Sequence, residues 1–172
     1  MEVHQLYSQT QSYFHNPEEG TYRYRNEKVE WEGITVESTE ILYHPDSHKL
    51  TAKGYVRVTE GEIIAVMDEL EINIKDSTGI FKNTIFYDAS NKAYMTAKEV
   101  RRVSKNEFVA KTCTFTTCNP KSPAWQITGS EVNYYSQNFS SSSSSTLRIG
   151  GFPVFYFPYL AWPTVNRRQS GF

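Results

Sequence analysis

The feature that most restricts this chain is its rhythm of turns. Pro45-Asp46-Ser47, Glu60-Gly61, Asp76-Ser77-Thr78-Gly79, Asp88-Ala89-Ser90-Asn91, Ser104-Lys105-Asn106 and Asn119-Pro120 follow one another with centres 13 to 17 residues apart. Asp, Asn and Ser bond their own backbone and Gly supplies positive φ, so each cluster stops a strand for a physical reason. Strands of about ten residues fit between the clusters. Taken two at a time the steps are about 30 residues, as a repeated hairpin would give. Between the turns the apolar period is two. Ile64, Val66, Leu70, Ile72 and Ile74 share one parity, against Glu69, Glu71, Asn73 and Lys75 on the other. Ala52, Gly54, Val56 and Val58 alternate likewise with Lys53, Tyr55, Arg57 and Thr59. Short connections select antiparallel neighbours, because parallel pairing needs crossovers of roughly a dozen residues or more. The expected architecture is an all-β stack of antiparallel hairpins whose dry faces meet, either a jelly roll or a β-solenoid.

Three segments depart from this pattern. Asp68 carries the dry parity between Val66 and Leu70, which fits a bulge near Met67, a carboxylate at an open rim, or a polar contact inside a ligand groove. Phe81, Ile85 and Tyr87 stand against Ile80 and Phe86, so this segment is expected to be covered on both faces. The tract Ser140 to Ser145 reads as a flexible linker or long loop between the hairpins and an aromatic, Pro-rich tail.

Composition narrows the function classes. The 172 residues hold 18 Lys plus Arg against 19 Asp plus Glu, a net charge of -1 that argues against a nucleic-acid binder. The aromatic share of 15%, with 12 Tyr and 10 Phe, favours pleated sheet. No stretch approaches the roughly 18 apolar residues of a spanning helix. The most apolar run, Phe152 to Trp162, contains Pro153 and Pro158 and is followed by Pro163, so no helix passes through it. No secretory leader follows Met1, and the expectation is a cytoplasmic protein or a piece of a longer chain.

Reactive chemistry is sparse. His44 and His48 flank Pro45-Asp46-Ser47, but without a third strong ligand they read as a solvated turn rather than a metal clip. Glu69 and Glu71 on one strand face would stand about 6 to 7 Å apart, within glycosidase range, yet acidic alternation on a wet face is the plainer reading. No phosphate loop, nucleophile elbow or dinucleotide fingerprint occurs. Neither catalytic residues nor a metal or cofactor is expected. Cys113 and Cys118 lie five apart, roughly 16 Å on an unbroken strand, whereas a disulfide needs Cα atoms within about 7 Å. Unless a turn intervenes they do not pair with each other. They are buried free thiols, or at least one has a partner outside this chain.

The C-terminal third carries a more specific signature. Thr117-Cys118, Trp125, Gly129-Ser130-Glu131-Val132, Pro153-Val154-Phe155-Tyr156-Phe157-Pro158-Tyr159-Leu160, Pro163 and Arg167-Arg168-Gln169-Ser170-Gly171-Phe172 together resemble the LPS-assembly protein family LptD, also called OstA or Imp. Leu50-Thr51-Ala52-Lys53-Gly54-Tyr55-Val56-Arg57-Val58 is similar to the hairpin repeat of the OstA-type jelly roll, which the periplasmic bridge proteins of the same pathway share. The resemblance runs from about Ile34 to Phe172.

That resemblance implies a periplasmic jelly roll leading into an outer-membrane β-barrel, with this segment facing the periplasm. Residues 1–30 stay unassigned, 31–139 form the OstA-like jelly roll, 140–151 a Ser-rich loop and connecting strand, and 152–172 the lead-in to a barrel that lies outside the chain. Lipopolysaccharide would arrive from an LptA-like bridge protein, docked by edge-strand pairing, with the lipid A acyl chains in an apolar groove. An LptE-like lipoprotein would be reached through the barrel. Val56, Val58, Ile64, Val66, Leu70, Ile72 and Ile74 are the groove-lining candidates, though the same residues could fill a closed core. Pro153, Pro158 and Pro163 would mark the barrel seam or lead-in. Cys118 aligns with a family cysteine bonded to the far end of the barrel, while Cys113 departs from the pattern. The competing readings are a free-standing LptA- or LptC-like bridge protein, which would lack the 153–172 tail, a β-solenoid enzyme acting on polysaccharide, and a solid structural adhesin.

Overall fold

The computed structural model describes residues 7–8, 13–135 and 139–163. They form twelve strands: β1 (Tyr7–Ser8), β2 (Tyr13–Asn16), β3 (Thr21–Trp31), β4 (Ile34–His44), β5 (Lys49–Glu60), β6 (Ile63–Asn73), β7 (Thr78–Asp88), β8 (Ala93–Ser104), β9 (Glu107–Thr116), β10 (Trp125–Tyr135), β11 (Phe139–Ile149) and β12 (Phe152–Pro163). From β3 to β12 every strand pairs antiparallel with its successor, in one open sheet. The short β1 and β2 both lie along the free edge of β3 in a common register, Tyr7 opposite Glu30 and Tyr13 opposite Tyr24. The turn chemistry acts as expected: Asp76 accepts from the Thr78 amide at 3.1 Å and from its hydroxyl at 2.7 Å, which holds the carboxyl below the usual range. Among the described residues no helix is long and apolar enough to cross a membrane. Antiparallel meandering rules out the parallel coils of a β-solenoid.

A flat sheet cannot hide both halves of its strands in one core, and the backbone solves this with a seam. Asn26, Gly54, Asn83, Thr112 and Ser144 adopt φ of 51°, 92°, 50°, 52° and 49°, one in every second strand. They recur at intervals of 28, 29, 29 and 32 residues, which is the hairpin period of the sequence. Register shifts fall on the same line, between Glu37 and Glu40 and between Lys53 and Val56. Crossing it, the buried parity changes: Ala65 and Met67 are buried before Asp68, and Leu70, Ile72 and Ile74 after it. Strands that turn a corner through bulges pass from one layer to another. One cluster accordingly joins Val36, Val56 and Met67 from one side of the seam to Leu50, Leu70, Phe81 and Val100 from the other. The sheet is doubled over into a jelly roll.

The seam also corrects part of the strand reading. The interruption expected near Met67 is real, and Asp68 lies exposed on the outside, accepting from Asn83 Nδ2 at 2.7 Å. Because the parity changes there, Ile64 and Val66 point outward, beside Thr59, Arg57, Tyr87 and Ile85, instead of sharing the face of Leu70. The segment around Phe81 is not covered on both sides. Phe81 is buried, whereas Ile80 and Ile85 are exposed.

The serine tract is strand β11, not a loop. Its ladder to β10 and β12 needs only backbone, and the small side chains find partners locally. Ser145 donates to Ser142 at 2.7 Å in the buried layer, the Tyr135 amide donates to Ser140 Oγ at 3.1 Å, and Ser130 donates to the Ser143 carbonyl at 3.1 Å. Gly129 leaves the room: a Cβ there would stand 2.6 Å from Ser142 Oγ.

Outside, just past the seam, charges alternate strand by strand. Glu40, Lys53, Glu69, Lys82, Glu99, Lys111 and Glu131 are successive cross-strand partners from β4 to β10. Lys82 reaches Glu69 at 2.8 Å and Lys53 reaches it at 3.9 Å, and the Lys82 contact holds the Glu69 carboxyl below its ordinary value. A register slip would break these opposite-charge pairs along the row, so the ladder favours the pairing. Glu71 is likewise paired, with Lys49 at 2.8 Å, so neither carboxylate of the suspected acid pair stands alone.

Candidate apolar trough

The inward face runs without a break from β4 to β12, and its exposure changes along the way. Between β3 and β8 the two layers pack together. Val56 is fully buried, Leu70, Ile72 and Ile74 are buried beside it, and Val58 is half-buried against them. From β9 onward the inner side chains emerge: Phe115 is 39% exposed, Ile149 52% and Phe155 60%. The row Met95, Phe115, Ile127, Leu147, Phe155 crosses β8 to β12 as direct partners, so this is one continuous apolar track that opens toward the last strand. The two layers are packed together at the β3–β8 end, and the apolar inner side chains are uncovered toward β12. Contiguous exposed apolar surface of this kind marks an interaction site.

Five of the seven sequence candidates, Val56, Val58, Leu70, Ile72 and Ile74, lie on this face, and the other two, Ile64 and Val66, lie on its back. Sequence reasoning missed Met67, Phe81 and Phe115. A phase change of the alternation at Asp68, applied to every hairpin, would have found them.

Strand β12 is exposed on both faces, with Phe152 at 77% and Tyr159 at 67%. Its prolines sit where the ladder tolerates them. Pro158 falls at the seam, between the pairs Ser143–Tyr159 and Ser145–Phe157, and Pro153 falls at the register shift beside Arg148. Pro163 ends the strand. The Arg167–Phe172 motif lies outside the described residues. Both cysteines are free. Cys113 faces the core, and burial pushes its thiol up to about 11, the Glu131 carboxylate adding to the rise while the Val132 backbone hydrogen bond opposes it. Cys118 follows β9 in a half-buried turn, its amide donating to Thr116 Oγ1 at 3.0 Å.

Fold and trough together define the class as an open antiparallel jelly roll with an apolar inner track. No family model matches the chain. Curated relatives do. The chain is 31% identical over 140 residues to the LPS-assembly protein LptD of Pseudomonas putida (strain W619), covering 81% of this chain and 15% of that protein. It is 27% identical over 165 residues to LptD of Acinetobacter baumannii, covering 94% of this chain and 20% of that protein. LptD of Nitrosococcus oceani is 28% identical over 141 residues, covering 81% and 19%. The chain matches the N-terminal part of LptD. It spans a fifth or less of the length of the curated relatives it matches.

Proposed function

We propose that this chain is the lipid-receiving domain of an outer-membrane lipopolysaccharide-assembly protein, facing the periplasm. Its work is positional. Acyl chains part the packed layers along Val56, Val58, Leu70, Ile72 and Ile74 and move toward β12, each buried methylene contributing about 0.8 kcal/mol. A bridge protein of the same fold docks on the β1/β2 edge by β-augmentation, so that two troughs become one. At the other end β12 and its prolines lead toward a barrel plugged by a lipoprotein, with Cys118 as the thiol for a disulfide to the barrel's far end. The observation that carries this reading is the apolar row Met95, Phe115, Ile127, Leu147 and Phe155, uncovered at the β12 end. The match to LptD supports it.

The test is site-specific photocrosslinking to lipid A. Probes at Ile72 and Phe115 should label, and probes at Val66 and Glu71, on the outer face, should not. Equal labelling of both faces, or none at the inner positions, would remove the trough assignment. The free-standing bridge reading lacks support because β12 continues the sheet with an exposed aromatic strand of the kind such a protein would have to hide.

A further inference from the structure

Arg102 is the charged side chain on the inward face of β8, otherwise lined by Ala93, Met95, Ala97 and Val100, and it is 5% exposed. Burial of a guanidinium normally demands a full set of partners, because an isolated charge in an apolar setting is strongly unfavourable. Arg102 falls short of that. Its Nη2 donates to the Lys105 carbonyl at 3.4 Å, Nη1 lies 4.0 Å from Glu60 Oε2, and Nε has no partner. The Phe108 ring, its direct neighbour on β9, covers the guanidinium with its centroid 5.2 Å away.

Glu60 ends β5, on the parity of the inward Val56 and Val58. It lies on the Val56 side of the seam and Arg102 on the Val100 side, so the two residues belong to different layers. Both stand beside hairpin turns, Gly61-Glu62 and Lys105-Asn106, so their contact crosses between the layers at the turn ends, away from the seam. Behind it the layers meet through apolar side chains, while the pairs Lys49–Glu71, Arg57–Glu37 and Lys82–Glu69 join adjacent strands within one layer. Ile72, Gly79 and Arg102 are direct partners on β6, β7 and β8. Gly79 brings no side chain, since a Cβ there would stand 2.5 Å from the Glu71 carbonyl, so Arg102 is the next side chain along this row from Ile72.

We infer that the Arg102–Glu60 pair is a clasp across the mouth between the two layers, and that it parts before an acyl chain reaches Ile72. The contact is built to release. At 4.0 Å it is an ion pair without a hydrogen bond, and the Glu60 side chain is half-exposed. On opening, the carboxylate passes into water, while the guanidinium keeps the Phe108 ring and the Lys105 carbonyl. The apolar contacts behind the clasp reclose the layers once the chain has passed.

This inference rests on the lipid-receiving function proposed above, and the experiment separates the two. The full chain, carrying a photocrosslinker at Ile72 or at Phe115, is mixed with lipid A micelles and labelling is followed over time. Phe115 lies uncovered beyond the packed layers and reports arrival that needs no clasp to open, whereas Ile72 reports entry between the layers. Glu60→Gln should speed labelling at Ile72 about fivefold, the size of a half-exposed ion pair, and leave Phe115 unchanged. Glu60→Lys, which sets like charges across the mouth, should speed it further. Arg102→Met should match Glu60→Gln, and the double variant should be no faster than either, because the same contact is broken. Glu62→Gln, an exposed change of equal charge in the adjoining turn, should alter neither rate. An Ile72 rate unmoved by both Glu60 changes overturns the clasp, as does an equal gain at the two probes or a gain from Glu62→Gln. These outcomes decide it even where Arg102→Met fails to fold. No labelling at either probe in the unmodified chain would instead sink the proposed function itself.

Discussion

Cys113 shows how one buried atom acquires a pH signature. Its thiol is held in the core, 4% exposed, and moves from the ordinary 9.0 up to about 11, so the folded chain keeps its proton where the unfolded chain releases it. Stability from this group is intact below about pH 9 and is lost as pH rises toward about 11. At about 1.4 kcal/mol per pH unit the loss is on the order of 2 kcal/mol. Denaturant titrations at pH 8.5 and 10.5, taken here as roughly bracketing that window, should diverge less for Cys113→Ala than for the unmodified chain. An equal divergence would refute the assignment. Thiol reagents should likewise modify Cys118 in the folded chain and Cys113 only after unfolding. The sequence placed both cysteines on or beside a strand and left their burial open, because two Thr-flanked cysteines have the same local pattern whether the strand faces a core or water.

Within each strand, the residue at the seam decides where the sidedness changes. Gly54 has φ of 92°, and a Cβ there would stand 3.1 Å from the Thr39 side chain. Gly54→Ala should destabilise by more than about 1 kcal/mol, from left-handed strain plus that contact. Thr112 is the converse case, a β-branched residue at φ 52°. Thr112→Asn should stabilise by up to about 1 kcal/mol, since Asn tolerates that conformation and Thr does not. Thermal melts of the two variants check both signs, and a neutral Gly54→Ala would mean the seam is not set locally. The hairpin period was legible because turn residues carry their own chemistry. The phase change inside each hairpin was not, since Asn26, Asn83 and Thr112 look like ordinary wet-face residues until the fold bends at them. That is why Ile64 and Val66 read as lining and turned out to be backing. The serine tract misread for a related reason. Low complexity signals a linker when backbone groups are left to water, but between β10 and β12 the ladder takes them, and serine is small enough to lie over Gly129.

Across the whole molecule, the two edges of the sheet differ. At the first edge β1 and β2 partly cover β3, with Tyr13 packed on Tyr22 at 5.4 Å and on Tyr24 at 5.9 Å. At the last edge β12 presents exposed aromatics and, among the described residues, an edge without a further strand, the arrangement that templates strand addition. The isolated chain should therefore self-associate with rising concentration, and Phe155→Lys with Tyr159→Lys should suppress that without lowering the melting temperature. Sedimentation equilibrium decides it, and a chain that stays monomeric at high concentration would show that β12 is already satisfied.

The alternation and the turn chemistry by themselves determined an antiparallel all-β chain of hairpins about 30 residues long, because strand parity and φ preferences are local properties. Tertiary structure alone decided which parity faces inward on each side of Asp68, that Arg102 of β8 and Glu60 of β5 meet across the two layers, and that the inner side chains are packed at β3–β8 and uncovered toward β12. Each of these depends on a sheet folding back on itself, which brings together residues whose separation along the chain carries no signal.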